Sequence, residues 1–223
     1  MSNSVNSIKS ESSLNNLLAD GLMSMDLTVT DWQQQQLLQY ILLLNKWNKT
    51  YNLTAVREPE RMIGMHILDS LAVLPHLGAG VNLLDVGSGG GLPGIPVAIM
   101  RPDINVTMLD SLQKKTVFIQ QAISVLLLKN ANVVCERVES FQYIKKFDMV
   151  ISRAFSELSD FANGAAHLVA DGGRMMAMKG VLRQDEIDRL EQNPNTSIRF
   201  DHAIKLSVSQ VDGMRHLLVL KRI

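Results

Sequence analysis

With 223 residues, 46% of them hydrophobic and 20% charged, the chain suits one well-buried core with room for a small additional element. Its 22 basic residues balance 22 acidic ones, so composition alone gives no argument for nucleic acid, and a single cysteine excludes a disulfide framework and a cysteine-rich metal site. The longest apolar run, YILLLN (40–45), excludes a helical membrane span, and the Ser/Asn-rich start lacks the apolar core of a signal peptide; a cytoplasmic protein with no membrane contact and no metal is expected.

Residues 1–29 are polar and weakly periodic, and are expected to form a partly disordered extension that frays at its start. Up to Asp31 the chain holds Lys9 against Glu11, Asp20, Asp26 and Asp31, which leaves the remainder about three charges positive and permits a local basic face. TDWQQQQLLQYILLLNKWNK (30–49) reads as a helix: Thr30 and Gln33 have capping-box spacing, and Leu37, Tyr40, Ile41, Leu44 and Trp47 mark an apolar stripe. EPERMIGMHILDSLAVLPHL (58–77) reads as a second helix, with Pro59 in its first turn and Pro75 forcing its end. Residues 30–80 are therefore expected to be a helical cap and residues 81–223 the core, together one structural domain.

From residue 81 short apolar runs alternate with helical segments. VNLLDV (81–86), NVTMLD (105–110), NVVCERV (132–138), FDMVISR (147–153) and GRMMAMK (173–179) read as strands, and KKTVFIQQAISVLLLKN (114–130) and ELSDFANGAAHLV (157–169) as helices between them. That alternation predicts an α/β fold with a parallel sheet covered on both faces, in which Cys135 is a buried, inert thiol. RFDHAIKLSV (199–208), a turn at VDG (211–213) and MRHLLVLKRI (214–223) leave no space for a helix and predict an antiparallel hairpin. The sum is a mostly parallel, seven-stranded Rossmann-like sheet.

LLDVGSGGGLPG (83–94) occupies the first strand-to-helix turn, where doubly wound sheets contact nucleotides. GGGLPG (89–94) formally satisfies G-x-G-x-x-G, a weak match by itself that leaves a dinucleotide oxidoreductase as an alternative. Two features point elsewhere: Asp85, two residues before Gly87, repels a pyrophosphate but suits a cationic ligand, and no length remains for a substrate domain. Asp110 closes the next strand, placed to accept the hydroxyls of a ribose. A nucleoside with a ribose diol and a cationic tail is S-adenosylmethionine; if both acids merely cap strand ends, nothing binds there.

Absences narrow the acceptor. Cys135 has neither a preceding proline nor a visible activating partner, which disfavours cytosine carbon methylation, and ISRAFSEL (151–158) lacks the Pro-Pro loop of exocyclic amine methylation. Acceptors that are already nucleophilic remain, ring nitrogen 7 of guanine among them, for which alignment matters more than a general base.

KWNKTYNLTAV, HILDSL, DVGSGGGLPGIP, MLDSLQKK, VISRAF and MKG, in that order, resemble the RsmG family, also called glucose-inhibited division protein B. The resemblance runs from about residue 30 to the C-terminus. It implies a class I methyltransferase that uses S-adenosylmethionine to form 7-methylguanosine in 16S ribosomal RNA, with that RNA or the small ribosomal subunit as partner, acting as a monomer. It also implies that Gly87 and Leu92 line the cofactor site in the first turn, that Val138 and Glu139 reach the adenine, that Arg153 contacts the cofactor and that Asp110 holds the ribose; Gly89, in the same glycine turn, is a further cofactor candidate. Gly90 departs from the Ala or Pro more common in relatives, which is expected to loosen the turn slightly.

Lys179 and Arg215, at the sheet's carboxyl edge, and Arg137, near the adenine contact, are candidate RNA ligands; each is alternatively a solvated surface cation. Arg153 is alternatively a surface partner of Glu157, and His66 and Asp69 have the spacing of a helix-surface hydrogen bond. No residue is assigned as a general base. A catalytically silent ribosome- or RNA-binding module is the remaining alternative.

Overall fold

Strand burial separates centre from edge. The runs β1 (Asn82–Val86), β2 (Asn105–Asp110), β3 (Ala131–Cys135), β4 (Phe147–Ser152), β5 (Val169–Lys179), β6 (Ile198–Leu206) and β7 (Arg215–Arg222) form one sheet in the order β3-β2-β1-β4-β5-β7-β6. The computed structural model describes every residue except Met1, Ser156 and Asn195, with side chains from Glu11 onward. β1, β2 and β4 are buried almost end to end, as central parallel strands covered on both faces must be. β3 lies at the edge and is half exposed, and there Cys135 is exposed rather than buried as the apolar run suggested. β7 runs antiparallel to both β5 and β6, giving the expected hairpin.

Chain order reverses between β1 and β4, which pair directly. This switch point opens a crevice at the carboxyl ends of those two strands. Helices α5 (Gly94–Met100) and α6 (Gln113–Val125) cover one face of the sheet, and α7 (Leu158–Ala165) and α8 (Gln184–Glu191) the other, with two separate apolar clusters beneath them.

The cap departs from expectation in two places. Residues 2–24 form a helix, α1, and Leu14, Leu18 and Leu22 at i, i+4, i+8 are buried against α2 (Asp31–Tyr51) and the segment after it, so residues 11–24 are packed structure, not a fraying extension. The second cap helix is not continuous: α3 (Pro59–Met62) passes into a π-helical stretch at Ile63–Leu68 and then α4 (Asp69–Leu71). There a Cβ on Gly64 would stand 2.6 Å from the backbone oxygen of Gln210, so only glycine lets the β6–β7 loop press on the cap. The Thr30 capping box forms as read, and Gln33 also donates to the carbonyls of Ile99 and Met100, joining α2 to the end of α5. No helix among the described residues is long and apolar enough to cross a membrane.

Leu18→Ala is expected to destabilise the whole protein by about 2–5 kcal/mol in urea unfolding, as for any buried Leu truncation. An extension without packing would tolerate the change.

Candidate active site

The glycine turn is held from three sides. From β2, the Leu109 carbonyl accepts from both Gly87 N–H (2.8 Å) and Ser88 N–H (3.1 Å). From below, Asp85, fully buried, accepts from Gly94 N–H through Oδ2 (2.9 Å) and leaves Oδ1 without a partner. From the cap, the buried Tyr40 hydroxyl donates to the Gly90 carbonyl, so the turn is clamped at the position expected to loosen it. Gly87 has φ +72°, and a Cβ there would meet that of Ala154 at 2.6 Å, which brings the turn against the end of β4.

Three clefts follow one another along this edge. The first, about 270 Å³, is walled by Gly87, Asp110, Leu112, Arg137, Val138, Glu139 and Phe155. The second, about 190 Å³, runs between the glycine turn (Gly87, Gly89, Leu92) and the cap (Leu53, Thr54, His66), and shares Gly87 and Ala154 with the first. The third, about 120 Å³, shares Arg153 with the second and is otherwise lined by Asp69, Met178, Lys179, Gly180, Leu206 and Arg215. Of the candidate cofactor and RNA ligands read from the sequence, only Asp85 lines none of the three; it lies beneath the turn.

The first cleft suits an adenosine. Leu112, Val138 and Phe155 supply apolar wall for a ring, and Asp110, 5% exposed, presents a carboxylate. That carboxylate is partly engaged: Oδ1 accepts from Leu112 N–H (2.9 Å), and Oδ2 from Gly89 N–H (2.9 Å) with Lys115 Nζ at 3.4 Å. Oδ1 keeps a lone pair for a hydroxyl, and a second hydroxyl must displace Lys115.

The third cleft centres on one acid. Asp69, 8% exposed, accepts from Arg153 Nη1 through Oδ2 and from Arg215 Nε through Oδ1, each at 2.9 Å. Arg153 therefore pairs with the cap and not with Glu157, which binds Arg189 instead (2.7 Å). Lys179 lies 2.8 Å from the buried Glu186 and donates to the Phe155 carbonyl. His66 Nε2 is 2.8 Å from the Thr54 hydroxyl and its Nδ1 is buried without a partner; burial first, then the Arg153 guanidinium, lowers its pKa to about 4. His66 and Asp69 are thus interior groups with separate partners, not a helix-surface pair.

Sequence reasoning did not foresee Tyr40, Thr54, Glu186 or the inward turn of Asp69. Tyr40 sat on an apolar stripe that reads as core, and only its hydroxyl hints at a buried acceptor.

A nucleotide-binding turn at the switch point, an acid closing β2 and a cap over the crevice define a Rossmann-like methyltransferase. A methyltransferase from Aquifex aeolicus has this fold, with a TM-score of 0.58 at 17% identity over 81% of this chain and 98% of that one. Coclaurine N-methyltransferase, solved with N-methylheliamine and S-adenosylhomocysteine, gives 0.53 at 11% identity over 89% and 73%. Residues 33–218 match the family described as rRNA small subunit methyltransferase G (GidB), and the chain belongs to that family. Its relatives include proteins named ribosomal RNA small subunit methyltransferase G from Chromobacterium violaceum, 49% identical over 90% of this chain and 94% of the relative, and Neisseria meningitidis serogroup A, 48% identical over 92% and 97%. Membership decides against a dinucleotide oxidoreductase.

Two outcomes follow from the turn. Gly87→Ala is expected to cost about 1–2 kcal/mol of stability and to weaken S-adenosylhomocysteine binding at least about 10-fold in calorimetry, because both φ and the Ala154 contact oppose a Cβ. Burial raises the Asp85 pKa to about 7, against the opposing Gly94 hydrogen bond. A carboxyl with a raised folded pKa favours the folded state at low pH, and that contribution is lost as pH climbs from about 4 through about 7. Over this range the wild type is expected to lose on the order of a few kcal/mol relative to Asp85→Asn, read from urea midpoints at each pH.

Proposed function

We propose that the chain transfers the methyl group of S-adenosylmethionine to nitrogen 7 of a guanine in 16S, small-subunit ribosomal RNA, acting as a monomer in the cytoplasm with residues 30–80 capping the core. It is a ribosomal RNA methyltransferase with S-adenosylmethionine as its cofactor, by family and by fold. The observation that carries the choice of acceptor atom is the lack, among the described residues, of a free base where the second and third clefts meet. His66 is the only imidazole lining the second, and burial and then Arg153 lower its pKa to about 4; Asp69, the only carboxylate lining the third, is paired with two guanidiniums. Nitrogen 7 carries no proton and offers a free lone pair, so placement suffices.

When bound, S-adenosylmethionine supplies a methyl on a sulfonium: the guanine lone pair forms the C–N bond, the C–S electron pair returns to sulfur, and the positive charge moves to the purine. In the chain, Val138, Leu112 and Phe155 hold the adenine ring and Asp110 one or both ribose hydroxyls, with Glu139 beside them. Gly87, Gly89 and Leu92 give the methionyl arm a close backbone surface, and Arg153 closes its far end. Asp85 supports the turn from beneath without touching the ligand.

Lys179 and Arg215 face buried acids, so they shape the acceptor end and leave the RNA phosphates to other cations. The exposed Lys49, Arg57 and Lys114, on or bonded to the stretch 48–52 that leads into the second cleft at Leu53, and Arg137 at the first, fit that task. Arg57 and Lys114 donate only to neutral oxygens of Asn48, Asn52 and Tyr51, and none of the four makes an ion pair among the described residues.

The test is transfer of labelled methyl to small subunits from cells lacking the gene, with nuclease digestion to identify the product. 7-Methylguanosine is the expected product; its absence refutes the acceptor, and no turnover at all leaves the silent module. Lys49→Ala and Lys114→Ala are each expected to lower the salt slope of single-stranded RNA binding by about 0.7 unit while S-adenosylhomocysteine affinity holds. Asp110→Ala is expected to weaken that affinity by about 1.5–3 kcal/mol for each charge-assisted bond lost.

A further inference from the structure

The third cleft holds one carboxylate between two guanidiniums. We propose that it is the slot for the acceptor guanine and that Asp69 reads the Watson–Crick edge of that base. The inference rests on the reading of the chain as a guanine nitrogen-7 methyltransferase.

Position comes first. The slot meets the second cleft at Arg153, at the carboxyl ends of β4 and β5, so a base lying in it presents one edge toward the glycine turn. Methylation at nitrogen 7 requires that edge to be the one carrying N7. The opposite, Watson–Crick edge then faces the far wall. On guanine it offers two donors, N1–H and the exocyclic amine, beside the O6 acceptor.

Asp69 is the only carboxylate on the slot wall among the described residues. A carboxylate accepts through about four lone-pair positions. Its two oxygens each accept one guanidinium, from Arg153 and Arg215, which leaves one position on each oxygen for the two guanine donors. The guanidiniums, on β7 and at the end of β4, grip the carboxylate from both sides and hold it in place before a base arrives, and they stand ready to donate to O6. Adenine reverses the pattern: its N1 is an acceptor that meets a carboxylate, and its amine meets cationic donors. Discrimination of about 10–100-fold is the range for a bidentate pair.

The same contact has a kinetic consequence. As the methyl transfers, positive charge arrives on the purine and N1–H becomes a stronger donor, so its hydrogen bond to Asp69 strengthens toward the transition state. Asp69 therefore acts on kcat as well as on KM.

The test uses the whole protein with small subunits from cells lacking the gene. For Asp69→Asn, which keeps an acceptor oxygen for Arg153, kcat/KM for methyl transfer is expected to fall about 10–100-fold, well beyond any weakening of S-adenosylhomocysteine binding. GMP, IMP and AMP serve as competitors of the transfer. The wild type is expected to be inhibited in the order GMP, IMP, AMP, because IMP keeps N1–H but lacks the amine, and Asp69→Asn is expected to lose that order. Should Asp69→Asn not fold, Met178→Trp, which fills the slot and leaves Asp69 in place, is expected to abolish transfer with cofactor affinity retained. An Asp69→Asn enzyme with wild-type rate and the GMP preference intact overturns the proposal, as does a Met178→Trp enzyme that still transfers. If the wild type forms no 7-methylguanosine at all, the underlying reading fails instead.

Discussion

The Leu109 carbonyl, accepting from two successive amides of the glycine turn, fixes where the carboxyl edge of the sheet can hold a ligand. The turn cannot rise or tilt without breaking both bonds, and Asp85 below and Tyr40 above oppose motion in either direction. From this one fixed loop the first and second clefts take their shape: the Asp110 carboxylate is oriented by Gly89 N–H, and the Gly87 backbone is packed against Ala154 at the end of β4. A buried, half-unpaired acid under a loop works against stability near neutral pH, and so does a left-handed turn; both persist because the sheet on one side and the cap on the other over-determine the loop.

The third cleft is built on a different interaction, an Arg–Asp–Arg triad that joins the cap to the end of β4 and to β7. A buried ion pair contributes little net stability against an apolar substitute, but removal of one member leaves an uncompensated charge and is strongly destabilising. Such a triad sets geometry more than it stabilises. The cations differ in their partners: Arg153, Arg215 and Lys179 face the buried acids Asp69 and Glu186, while Lys49, Arg57, Arg137 and Lys114 are exposed and make no ion pair among the described residues. A chain of zero net charge thus still has exposed cations to offer a polyanion.

Much of this was legible in the sequence, for physical reasons. NVTMLD ends in an acid at the carboxyl end of β2, and the spacing of Gly87, Asp110 and Arg153 along a strand–helix alternation predicts that they meet at one edge, where they line adjoining clefts. What stayed hidden has identifiable causes. HILDSL has ordinary helical periodicity, and one π-helical stretch, invisible to that periodicity, aims Asp69 inward. Leu14, Leu18 and Leu22 carry a helical signal that the surrounding Ser and Asn dilute. Lys179 read as an open cation because its partner Glu186 sits on α8, a helix rich in charge that gives little sign of burying an acid.

The central claim is that this edge of the sheet exists to put a methyl group on nitrogen 7 of a ribosomal guanine. The direct measurement is mass-spectrometric mapping of small-subunit RNA from cells with and without the gene. Loss of 7-methylguanosine at one nucleotide, restored by the wild-type gene, is the expected result. An unchanged modification map, or a lost methyl that belongs to any other atom, would contradict it.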